Sequence, residues 1–190
     1  MTDKKYDVVV FIGRFNPPHK AHIEIMEYAS TISDRVVVII GSAGKNSAEN
    51  NRTLKNPFTE MERGGMISNA VSDKCFKKLY TYYNYDTPED DIAWAGRIKY
   101  YVDKHTDSKS KVTLIGHAKD KSSEYLKWFP EWDSINVDSL YDLNATDIRN
   151  LYFSENFDPF DIINDVPIST YNFMMEFRNT QDFQDLLKQN

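Results

Sequence analysis

Residues 13 to 22 read G-R-F-N-P-P-H-K-A-H, which places Arg14, His19 and His22 between an apolar run and an amphipathic one. The run before them, Tyr6 to Ile12, is rich in β-branched residues and predicts a buried strand. The stretch after them, Ala21 to Ile32, carries Ile25, Met26, Ala29 and Ile32 at helical spacing. Asn16 is a suitable N-cap and Pro17 and Pro18 suit a helix entrance, so the histidines fall in the first turn, three apart on one face. A helix start presents free amides and about half a positive charge. Two imidazoles and Arg14 added there make an anion site whose natural guest is a polyphosphate. Two other readings stay open: histidines hydrogen-bonded to backbone at a helix start, and a zinc site. For zinc, the remaining histidines are His105 and His117, and no carboxylate cluster accompanies the pair in sequence.

Such a site needs strands and helices to hold it. Val36 to Ile40 is a second apolar run, so the opening reads strand, loop, helix, strand, one βαβ unit with glycines at both strand ends, Gly13 and Gly41. The alternation continues with a helix over Thr59–Val71, a strand over Leu79–Tyr83, a helix over Asp90–Lys104 and a strand over Lys111–Ile115 closed by Gly116. A helix is expected around Ser122–Phe129, a strand over Ser134–Val137, and mostly helix from Ala145, with Val166–Asn190 read as one helix. The pattern predicts a Rossmann-like, doubly wound parallel α/β sheet with C-terminal helices, its ligand beyond the C-terminal ends of the strands. The polar stretch Ser42–Asn56 follows a strand there and is expected to touch ligand.

The 190 residues suit a single domain, with a helical extension over about 145–190. The net charge of −6 offers no general field for a nucleic-acid backbone. The N-terminal apolar run is too short for a signal-peptide core or a membrane span, so a cytoplasmic protein without membrane partner is expected. Cys75 stands alone and reads as a small buried apolar residue. Neither a P-loop lysine signature nor a GxGxxG turn is present.

G-R-F-N-P-P-H-K-A-H resembles the "GRFxPxHxGH" form of the (H/T)xGH signature of nicotinamide-nucleotide adenylyltransferases, in the nucleotidyltransferase superfamily. N-A-T-D-I-R at 144–149 resembles that superfamily's "SSTxxR" element, and K-N-P-F-T-E-M-E-R at 55–63 resembles "RNPFTxxER". Residues 116–133 are similar to a stretch of adenylyltransferase domains fused to Nudix hydrolases, although no Nudix box occurs in the chain. The likeness runs over about residues 5–185, with the motifs in order. Ala21 departs from the signature's glycine, and Asn144 and Ala145 from serines.

The resemblance implies an enzyme that joins ATP and nicotinamide mononucleotide into NAD and pyrophosphate, the mononucleotide phosphate attacking the ATP α-phosphorus in line. It implies catalytic roles for Arg14, His19, His22 and Arg149, with Arg149 on the β and γ phosphates. ATP would be bound by Gly13, Phe15, Gly116, His117, Asn144, Thr146 and Ile148. The mononucleotide would be bound by Gly41, Ser42, Arg52, Lys55, Asn56 and Trp94, the indole stacking on the pyridinium ring. Mg2+ would arrive with ATP, with no protein metal site. Read on position alone, Arg149 is equally a solvated helix arginine and Trp94 a core tryptophan. The alternatives are a related transferase with another phosphomonoester acceptor, such as phosphopantetheine, and a non-catalytic NAD or ATP sensor. A homo-oligomer is left open.

Overall fold

The computed structural model describes residues 5–42, 52–86, 90–116, 127–137 and 143–189. Five parallel strands form one sheet in the order β3-β2-β1-β4-β5. They are β1 (Tyr6–Gly13), β2 (Ser33–Ser42), β3 (Leu79–Tyr85), β4 (Val112–Gly116) and β5 (Asp133–Asn136). The register sets Val10 of β1 between Val37 of β2 and Leu114 of β4. Because β1 is central, the chain leaves it in one direction for β2 and β3 and returns to its other side for β4. That reversal between β1 and β4 is where a doubly wound sheet opens a crevice at its carboxyl edge.

Side chains alternate across the pleat, so each central strand feeds two cores. Val9, Phe11, Val36, Val38 and Ile40 pack on one face with Ile25, Met26 and Ala29 of α1 (Lys20–Ile32). Val8, Val10, Val37 and Ile39 pack on the other with Ala95, Ile98 and Val102 of α4 (Asp91–Asp103). Continuous apolar runs in β1 and β2 are the consequence of burial on both faces. Cys75, in the short helix α3 (Asp73–Phe76), is buried in the first of these cores, and burial pushes its thiol up to about 11.

A third apolar cluster lies outside the sheet. It joins Phe58 and Met66 to Ile148 and Tyr152 of α5 (Ala145–Tyr152), Met174 and Phe177 of α6 (Ile168–Phe177) and Phe183 of α7 (Gln181–Leu187). Met66 belongs to α2 (Glu60–Ala70), which packs on α6. This cluster corrects the expectation of one terminal helix. Thr180 accepts a hydrogen bond from the Phe183 amide and starts α7 afresh, and the break lets both Phe177 and Phe183 turn into the cluster. Of the helix expected around Ser122–Phe129, residues 122–126 lie outside the described residues. Phe129 is buried and stacks on Trp132 at 4.5 Å. No helix among the described residues is long and apolar enough to cross a membrane.

Candidate active site

The segment after β1 turns sharply. Phe15 has φ 49, in the left-handed region that a bulky side chain rarely adopts. Its ring folds back over Gly13, where an added Cβ would stand 2.7 Å from the ring edge. Gly13 is required by that approach. The expectation of an Asn16 cap is corrected: α1 begins at Lys20 with His19 as N-cap. Prolines at 17 and 18 disfavour helical backbone in the residues before them, which pushes the helix start beyond Asn16.

The histidines are arranged by this late start. The His19 backbone N–H donates to Nδ1 of His22 at 3.2 Å. The two imidazoles stack with centroids 3.6 Å apart, and Phe15 meets His22 edge-on at 4.9 Å. Backbone bonding and a ligand site are therefore not alternatives for His22. Its Nδ1 serves the helix start, so a neutral ring carries its proton on Nε2, and that nitrogen is the donor.

Both histidines line a cleft of about 450 Å³. Its other lining residues are Arg14, Phe15 and Asn16 from the β1–α1 turn, Lys55 and Asn56 from the segment before α2, and Leu143, Asn144, Ala145, Thr146 and Arg149 from the start of α5. No carboxylate is among them. Arg149 donates to the Asn16 carbonyl at 2.5 Å and to Thr146 Oγ1 at 3.1 Å, tying α5 to the β1–α1 turn across most of the chain. Burial, and then the charge of Arg14, push its pKa down. Such a pair of mutually repelling guanidinium groups is relieved by an anion between them. Arg14 itself pairs with Asp86 at 2.8 Å, but the two side chains are 47% and 44% exposed, where an ion pair is worth only about 0–1 kcal/mol. Substrate phosphate can compete for Arg14.

Asn144 explains its own departure from serine. Its side chain caps α5 by accepting from the Asp147 amide at 2.9 Å, and asparagine is as good an N-cap as serine. Lys55 sits in a tight turn closed by hydrogen bonds between Thr53 and Asn56.

Other expected site residues are not among the cleft lining. Ile148 turns into the C-terminal cluster, one helical face away from Thr146 and Arg149. Arg52 is committed elsewhere: its guanidinium holds Glu62 through both nitrogens at 2.7 and 2.9 Å, Asp182 at 2.8 Å and the Pro57 carbonyl. Gly41 and Ser42 end β2 with their carbonyls accepting from Arg63 and from the Asp86 amide. The Gly116 carbonyl accepts from Val137. Trp94, in the first turn of α4, packs against the core below β3 and faces Phe129 at 6.3 Å. His117 lies outside the described residues, as do residues 43–51. Among the described residues no group of three His, Cys, Asp or Glu could hold a metal ion.

Two residues of consequence are not among the expected site residues: Asn16, read as a helix cap, and Arg63, the last residue of the motif at 55–63. Asn16 lines the cleft, is buried, and leaves its Oδ1 without a hydrogen-bond partner. Arg63 is buried beneath the β1–α1 turn. Its signal was a charge on the same helical stripe as Met66 and Ile67, where the pattern calls for an apolar residue.

The cytidylyltransferase-like family matches residues 10–162. The nicotinamide/nicotinic acid mononucleotide adenylyltransferase of Acinetobacter baylyi is 34% identical over 183 residues, 96% of this chain and 92% of that protein. The nicotinamide-nucleotide adenylyltransferase of Pyrococcus abyssi is 44% identical over 71 residues, 37% of this chain and 36% of that one. A crystal structure of a bifunctional NMN adenylyltransferase/ADP ribose pyrophosphatase from Francisella tularensis, complexed with AMP and a manganese ion, superimposes with a TM-score of 0.79 at 30% identity. The match covers 96% of this chain and 52% of that one, so the present chain spans about half of the bifunctional protein. By the family match over residues 10–162 and the near full-length likeness to the Acinetobacter baylyi enzyme, the chain belongs to the cytidylyltransferase-like family, among its nicotinamide/nicotinic acid mononucleotide adenylyltransferases.

Proposed function

We propose that this chain transfers the adenylyl group of ATP to nicotinamide mononucleotide, giving NAD and pyrophosphate, in the cytoplasm. The observation that carries the reading is one cleft, lined without a carboxylate among the described residues, on which Arg14, His19, His22, Lys55 and Arg149 converge from three separate parts of the chain. The mononucleotide phosphate is already an anion at neutral pH and needs no base to make it a nucleophile. What the protein supplies is orientation of two mutually repelling anions and stabilisation of charge on the α-phosphate and departing pyrophosphate. His22, with its donor nitrogen fixed by the helix-start bond, donates to an α-phosphate oxygen. Arg149 holds the β and γ phosphates, and Arg14 leaves Asp86 to join them.

The lining supplies cationic and amide groups, which fit phosphate and do not fit a bare cation. Magnesium is therefore assigned to the nucleotide phosphates and water, where it neutralises charge that the cations do not reach. Trp94, partly buried in the first turn of α4, which follows β3, is assigned as the platform for the pyridinium ring. The test is direct. Purified protein with ATP, Mg2+ and nicotinamide mononucleotide should release NAD and pyrophosphate in equal amounts, and the absence of both products overturns the reading. Trp94→Ala should raise KM for the mononucleotide and leave KM for ATP unchanged.

A further inference from the structure

Arg63 is 3% exposed, in the middle of α2, and points its guanidinium away from water. Its Nε donates to the Phe58 and Thr59 carbonyls at 3.1 and 3.2 Å. Its Nη1 donates to the Gly41 carbonyl at 2.8 Å and to the carbonyl of Arg14. One side chain thus gathers carbonyls from the start of α2, the end of β2 and the turn after β1. Burying a cation is costly unless its donors are satisfied, and an apolar residue would fill the same stripe beside Met66 and Ile67 at no such cost. The gain has to lie in what the guanidinium holds. The Arg14 carbonyl immediately precedes Phe15, the residue with left-handed backbone, a conformation that costs about 1–3 kcal/mol and persists only when its surroundings fix it. Phe15 in turn lies against His22.

We propose that Arg63 is a positioning residue for adenylyl transfer: it clamps the β1–α1 turn to the end of β2 from beneath, and so sets where Arg14 and His22 stand in the cleft. The proposal rests on the adenylyltransferase reading. Lysine cannot replace the fork, because a single ammonium cannot serve carbonyls on two sides of a planar group. Burial, the largest cause, and the charge of Arg14 lower the Arg63 pKa to about 10 against the opposing charge of Glu60, so the clamp stays charged at neutral pH.

The test uses the full chain with Arg63→Lys and Arg63→Gln, each checked by thermal unfolding so that whichever remains folded is carried forward. Displacement of catalytic groups by a fraction of an ångström should lower kcat about tenfold or more while KM for ATP moves less, since misplacement of about 1 Å can cost 10²-fold. A kcat within about twofold of the parent overturns the clamp. The second measurement does not use turnover: pyrophosphate binding by calorimetry in the parent, the Arg63 variant, Arg14→Met and the double variant. If Arg63 acts through Arg14, the double variant binds no more weakly than the weaker single one, whereas full additivity overturns the proposal. Should the parent bind pyrophosphate but form no NAD, the adenylyltransferase reading fails and this binding cycle still decides the clamp.

Discussion

Arg149, inside a motif, and Arg52, three residues before one, are both expected to meet substrate, yet the structure surrounds them in opposite ways. Arg149 meets a carbonyl, a hydroxyl and the like charge of Arg14, and its pKa is pushed down. Arg52 meets Glu62, Asp182 and, at 5.1 Å, the ring of Phe177. Burial works against its charge, but the hydrogen bonds and charges of those carboxylates outweigh it and push its pKa up. On the proposed reading, the first arginine keeps its charge for substrate phosphate. The other uses its charge to bind α2 to α7 and to close the C-terminal cluster, whose Gln189 also reaches the Arg52 carbonyl. A cation beside a phosphate motif is a phosphate ligand only if the fold has not already supplied its anion.

The sharpest way to break this contrast is to remove each charge in turn. Arg149→Met should reduce kcat by about 10²–10³-fold, the loss typical of a transition-state charge donor, with little fall in unfolding temperature, because removal of a repelled, half-buried cation offsets loss of the Asn16 and Thr146 hydrogen bonds. A variant that loses stability in proportion to activity would make Arg149 another structural tie. Pyrophosphate then sharpens the same point. At about 100 times its Kd it should stabilise the parent by about 2.7 kcal/mol, visible as a rise in unfolding temperature. Arg52→Met should keep that rise and Arg149→Met should lose most of it; equal rises in both would dissolve the distinction.

Arg52→Met should show the reverse pattern. Removing one partner of a fully buried ion pair costs about 3–5 kcal/mol, and here the partners are partly exposed, so a loss of about 1–3 kcal/mol in chemical denaturation is expected. Its kcat should stay within severalfold of the parent. A tenfold or larger loss of kcat without loss of stability would return Arg52 to the phosphate site.

The sequence made the frame of this contrast legible and concealed its detail. The doubly wound sheet follows from apolar runs such as Val36–Ile40, which admit only strands covered on both faces, and every described strand falls within two residues of its expected end. Arg14, His19, His22, Lys55, Asn144, Thr146 and Arg149 were legible as a set and line one cleft. Sequence position alone could not tell Arg52 from Arg149, because the deciding carboxylate, Asp182, stands 130 residues from Arg52 and meets it only through tertiary packing. Arg63 closes the motif at 55–63, but its role stayed hidden for a related reason: its acceptors are backbone carbonyls, which every residue possesses.

The smallest effect tests the anchored side of the comparison through pH. Glu62 is held below the ordinary carboxylate value of 4.5: burial raises it, but the Arg52 hydrogen bond and charge and the Thr59 amide prevail. A carboxylate depressed on folding stabilises the native state fully above its unfolded pKa, and that stabilisation is lost as pH falls through the lower, folded value. Glu62→Gln keeps the reciprocal cap with Thr59, since glutamine also serves at that position, and removes the charge together with the oxygen that accepts from Arg52 Nη2. The variant should therefore be less stable than the parent at pH 7, by about 1 kcal/mol after solvent screening of the exposed edge, and the gap should close as denaturation is repeated below pH 4.5. A gap of constant size down to pH 3 would mean that the Arg52–Glu62 charge does not hold the C-terminal helices, and packing around Phe177 alone would have to do so.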